Sequence, residues 1–82
     1  MKKIDGKKLL KEIRVPKNEE DRVEIHPIFL ENNKQIIIDV TNCNIYDYVL
    51  ILNYLYSIKI DIETLVLIEY EGKILDFKDW YC

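Results

Sequence analysis

One histidine, two cysteines and a group of late carboxylates are the side chains of this 82-residue chain best equipped for chemistry. His26 would act as a general base only with a nucleophile and an orienting carboxylate beside it. Its sequence neighbours supply neither, and its place before Pro27 reads as a surface or packing position. Cys43, in the stretch TNCN, precedes a helical pattern, and a helix N-terminus lowers a thiol pKa. With no activating neighbour it reads as an ordinary loop cysteine. Cys82 is a thiol that could carry sulfur as a persulfide, but no motif around it supports that step. His26, Cys43 and Cys82 lack the paired spacing of a zinc site. Glu69, Glu71, Asp76 and Asp79 flank a turn without the periodicity of a calcium loop, which leaves a solvated acidic face. Gly6 and Gly72 are the only glycines, so no phosphate-cradling loop is present. The chain is expected to be no enzyme, with no metal and no cofactor.

These residues belong to a chain of single-domain size with 49% apolar composition, enough for a core without disulfides. The formal net charge of −3 is unevenly spread: residues 1–15 hold six Lys/Arg against Asp5 and Glu12, and the remainder is acidic. A net acidic chain is a poor nucleic-acid ligand, and the basic arm reads as a solvated helix face. No secretory signal pattern is evident, and YVLILNYLYSI is too short to span a bilayer. A reduced, cytoplasmic protein is expected.

The stretch DGKKLLKEIRVP reads as a short helix capped by Asp5, with Leu9, Leu10 and Ile13 on one face and Pro16 beyond its end. RVEIHPIFL has strand character, with Pro27 favouring an edge or bulge. ENNK is a turn, and QIIIDV is a buried β-branched strand, so the two strands form a hairpin. Asn44 opens the main helix IYDYVLILNYLYS, with Asp47 completing a capping box. Ile45, Tyr48, Val49, Leu52, Leu55 and Tyr56 share the side expected to pack on the sheet. TLVLIEY is a central strand, Glu71-Gly72 a turn, KIL a short return strand, and DFKDW a tight turn.

The opposite side of the main helix is also apolar, with Tyr46, Leu50, Ile51, Tyr54 and Ile58. A helix apolar nearly all round is covered on both sides, by the N-terminal helix or by another chain. Tyr and Trp are favoured at interfaces for their large area and polar tips. The partner-binding surface is therefore placed at Leu50, Ile51, Tyr54 and Ile58, together with Trp80, Tyr81 and Cys82.

From about residue 22 onward, the hairpin, the Leu-rich helix, the strand, the Gly72 turn, Ile74-Leu75 and Trp80 resemble a ubiquitin-like β-grasp domain. The pattern is most similar to the small sulfur carriers of thiamin and molybdopterin synthesis. The resemblance implies an α+β fold of hairpin, helix, strand and short strand, with an extra N-terminal helix. Residues 1–21 form that helix and a charged connector, and residues 22–82 form the core. Those carriers continue into a last central strand and a Gly-Gly tail, whereas the sequence here stops at Cys82, so no residue takes over their chemistry. A gap beside TLVLIEY then has three solutions: an N-terminal strand at KEIRVP, a reduced sheet in which the first strand pairs directly with TLVLIEY, or a strand from a partner chain. The reduced sheet is preferred, because residues 5–13 read better as helix. The expected role is a small non-catalytic protein-binding module, bound to a protein partner or to copies of itself. The alternatives are a degenerate or incomplete sulfur carrier working with an activating enzyme, and a small inhibitor or antitoxin-like protein.

Overall fold

A computed structural model describes residues 2–18, 22–31, 35–60 and 63–77. The elements run β1 (Lys2–Asp5), α1 (Gly6–Glu12), α2 (Pro27–Leu30), β2 (Gln35–Asp39), α3 (Ile45–Ser57), β3 (Leu65–Tyr70) and β4 (Lys73–Asp76). They make a small α+β domain around one mixed four-stranded sheet of order β1-β2-β3-β4. β1, β2 and β3 are mutually parallel, and β4 returns antiparallel to β3.

The parallel register lines up one apolar row across the sheet: Ile4 beside Ile38, Ile38 beside Ile68, and Ile68 beside Leu75. Leu9 of α1 and Ile51, Tyr54 and Leu55 of α3 join Ile4, Ile36, Ile38, Val66 and Ile68 in a single core. Both helices thus lie on the same sheet face, and α1 packs against α3. Gly6 permits this packing, since a Cβ there would stand 2.9 Å from the Asp39 carbonyl oxygen and 2.9 Å from Cys43 Sγ. On the other face Lys3 Nζ meets Glu69 Oε2 at 2.8 Å, reaching from the edge strand to β3.

The Glu71-Gly72 turn is as expected. Both residues have positive φ (49° and 83°), as a two-residue hairpin of the right-handed twist requires. The capped helix starting after Asp5 is also present: the Asp5 carboxylate accepts from Lys7 N.

The expected hairpin of RVEIHPIFL and QIIIDV does not form. Residues 22–26 belong to no strand, and Pro27–Leu30 is a helical turn. The cause is local. Proline fixes φ and lacks an N–H, which suits the first position of a helix. His26 Nδ1 then accepts from Ile28 N at 3.1 Å and caps that turn. The strand beside β2 is instead Lys2–Asp5, so the N-terminal segment is part of the sheet rather than an addition to it. Direct pairing with β3 falls to Gln35–Asp39, the second strand of the expected hairpin, so β3 is bonded on both sides and leaves no gap for a donated strand. The sheet's edges are β1 and β4. The tight turn expected for DFKDW lies mostly outside the described residues.

Candidate protein-binding surface

α3 organises this surface, and its first turn is fixed at both ends of a reciprocal cap. Asn44 Oδ1 accepts from Asp47 N at 2.8 Å, and Asp47 Oδ2 accepts from Asn44 N at 3.3 Å. Asp47 also faces Lys7 Nζ at 3.6 Å, which ties the start of α3 to α1. The sheet-facing side of α3 is Ile51, Tyr54, Leu55 and Ile58. Tyr54 is fully buried, and its hydroxyl accepts from His26 N at 2.6 Å and donates to the Glu24 carbonyl at 3.0 Å. That one hydroxyl anchors the irregular segment before α2 to the main helix.

The helix is therefore rotated by roughly a quarter turn from the orientation expected of its sequence. Three members of the anticipated sheet-facing side are exposed: Ile45 (68%), Val49 (52%) and Tyr56 (41%). Of the anticipated binding residues, Ile51, Tyr54 and Ile58 are core, and Leu50 alone is accessible, at 38%. Trp80, Tyr81 and Cys82 lie outside the described residues. An apolar pattern around the whole helix gives no phase, and α1 settles it by packing on the Asp47–Ile51 side, with Lys7 at Asp47 and Gly6 against Ile51.

Among the described residues no helix lies beside the opposite flank. Ile45, Val49, Leu52 and Tyr56 run along it at helical spacing, and Ile45 and Tyr48 line the cavity beside β4. The Ile4–Ile38–Ile68–Leu75 row shows where cover ends: its first three members are at most 8% exposed, whereas Leu75 is 46% exposed. An apolar cavity of about 380 Å³ opens there, lined by Ile45, Tyr48, Ile68, Tyr70 and Leu75, with Lys73 at its rim. At the far end Tyr56 meets Phe77 edge-on, with ring centroids 5.8 Å apart.

Reactive groups around this surface are quiet. Burial, then the carboxylates of Asp47 and Asp5, pushes the Cys43 thiol up, opposite to the lowering that a helix start favours. Burial raises the Tyr48 phenol from its ordinary 10.0 to about 12. A second, polar cleft of about 580 Å³ lies between α1 and residues 22–27. There His26 Nε2 contacts Glu12 Oε2 at 2.5 Å while Nδ1 accepts from Ile28 N. Both ring nitrogens are thus engaged within the chain, and Glu12 is a carboxylate neighbour that the sequence around His26 does not reveal. Arg14 in the same cleft donates to the Arg22 carbonyl. Among the described residues no three His, Cys, Asp or Glu side chains converge as metal ligands. No described helix is long and apolar enough to cross a membrane.

No protein-family model, no curated protein and no solved structure matches this chain.

Proposed function

We propose that this chain is a small non-catalytic protein-binding module whose contact surface is the open flank of α3 and the adjoining groove over β4. The observation that carries the reading is the exposed apolar run of Ile45, Val49 and Tyr56 beside the uncovered Leu75. Isolated exposed hydrophobics are unremarkable on any protein, but a contiguous apolar strip bordering a cavity marks an interaction surface. The binding residues move accordingly from the buried Ile51, Tyr54 and Ile58 to the other side of the same helix, with Leu50 at the periphery. Affinity capture from native cells tests the reading. Wild-type protein should retain a stoichiometric protein partner, itself included, and Val49→Asp should lose it; equal capture by both proteins counts against the surface.

The finer description of the core as β-grasp-like belongs with this proposal. Its support is the succession of α3, β3, a two-residue turn and β4, with α3 laid across a mixed sheet. The parallel β1, in place of an N-terminal hairpin, departs from that pattern. A sulfur-carrier role would draw on no described residue, because Gly6 and Gly72 serve helix packing and a turn.

A further inference from the structure

We propose that His26 is a proton-operated latch between α1 and α2, closed by the neutral imidazole and opened when that ring takes a second proton. The latch is independent of the α3 flank.

The hydrogen-bond roles place the proton. A backbone N–H can only donate, and Ile28 N–H points at His26 Nδ1 at 3.1 Å. Nδ1 therefore presents a lone pair, and the single proton of the neutral ring sits on Nε2. Nε2–H then donates to Glu12 Oε2 at 2.5 Å, at the end of α1. The ring is thus a bridge with unlike ends, an acceptor toward α2 and a donor toward α1.

A second proton, taken from water, has only Nδ1 to bind. It turns the acceptor into a donor that faces another donor, so the contact with Ile28 N–H becomes repulsive. The other end gains instead, because the contact with Glu12 becomes an ion pair. The imidazolium is then held by α1 while α2 loses its cap. Further charges around the ring act in both directions. Lys11, Arg14 and Arg22 line the same cleft and oppose a new cation, whereas Glu24 favours it together with Glu12. Phe29 stands edge-on to the imidazole, with ring centroids 6.5 Å apart, and adds no charge. From α3, Tyr54 meets the backbone of residue 26 and not its ring.

The length of α2 makes it responsive. It is a single turn of four residues, too short to be stable without support. Besides the cap, Phe29 N donates to the His26 carbonyl at 2.9 Å and Glu31 N to the Pro27 carbonyl at 3.0 Å. The turn inserts Ile28 and Phe29, 9% and 7% exposed, into the core. The bond from His26 N to the Tyr54 hydroxyl involves no titrating ring atom, so the opening pivots at residue 26 and leaves α3 in place.

Nuclear magnetic resonance of ¹⁵N-labelled protein from about pH 8 to about pH 5, the range in which histidine changes charge, tests the latch. Long-range proton–nitrogen correlations report which ring nitrogen is protonated, and amide exchange, corrected for its intrinsic pH dependence, reports the state of α2. At the upper end the ring should be the Nε2–H tautomer. As Nδ1 gains its proton, protection of the Ile28 and Phe29 amides should fall about fivefold, as expected for a lost helix cap, with α3 amides unchanged. His26→Asn keeps a capping oxygen that does not titrate, and its α2 should show no such pH dependence. Should that variant fail to fold, Glu12→Gln replaces it, and loss of α2 protection should then begin at a lower pH, because the carboxylate that favours the imidazolium is gone. An Nδ1–H tautomer at about pH 8 overturns the latch. So does a ring that takes no second proton by about pH 5, or one that takes it with α2 protection unchanged. The same loss in folded His26→Asn, or an unshifted onset in Glu12→Gln, overturns it as well.

Discussion

Two tyrosines on α3 carry residue-scale predictions, because burial raises the pKa of both phenols. Burial raises the Tyr48 pKa to about 12 instead of 10.0. Above pH 10 the unfolded chain releases this proton before the folded chain does, so the unfolded state binds fewer protons and stability falls as pH rises. The stabilisation is fully present below about pH 10 and is lost by about pH 12. Chemical denaturation in that window should show a declining midpoint, and Tyr48→Phe should flatten part of the decline. Tyr54, Cys43 and Lys3, whose pKa values are also raised, retain the rest. Tyr54 has a second role through its hydroxyl. Removing it in Tyr54→Phe leaves His26 N and the Glu24 carbonyl without that partner, at a cost of about 1–3 kcal/mol. The segment from residue 22 to residue 26 should then become the first site of proteolytic cleavage, which limited proteolysis with mass readout would detect.

At the scale of elements, helix starts and tight turns were legible because each rests on a few contiguous residues. Asp5 and Asn44 cap α1 and α3 as their types and positions imply, and Glu71-Gly72 makes a turn that needs positive φ. The elements that were misread depend on distant partners. β1 is four residues with two lysines and no apolar alternation, and only pairing with β2 makes it a strand. Residues 22–30 alternate like a strand, yet Pro27 and the His26 cap turn the latter half into a helix. The rotation of α3 was hidden because apolar residues surround it, and Ile51, Tyr54 and Ile58, expected on its accessible side, are buried instead. Asn44→Ala should lower stability by about 1 kcal/mol, read by thermal melting. Gly6→Ala should lower it by about 1–3 kcal/mol, since the new methyl meets the Asp39 backbone as well as a side chain that can move. A stability equal to wild type for Gly6→Ala would mean that α1 can shift away from the sheet.

The whole molecule is a two-layer structure whose helical layer is narrower than its sheet. α1 and α3 cover β1 to β3, and β4 projects beyond them. This mismatch creates the groove, exposes Leu75 at the end of an otherwise buried row, and leaves one flank of α3 with no described helix beside it. The central claim is that this flank is surface while the adjacent flank is core, and neighbouring residues on one helix separate the two. Thermal melting of Val49→Asp and Ile51→Asp, followed by circular dichroism, tests it most directly. Val49→Asp should retain a cooperative transition and native helix content, whereas Ile51→Asp, which places a carboxylate at a fully buried position, should abolish the fold. Loss of the fold in Val49→Asp, or a native melt in Ile51→Asp, would contradict the placement of α3 and the binding surface built on it.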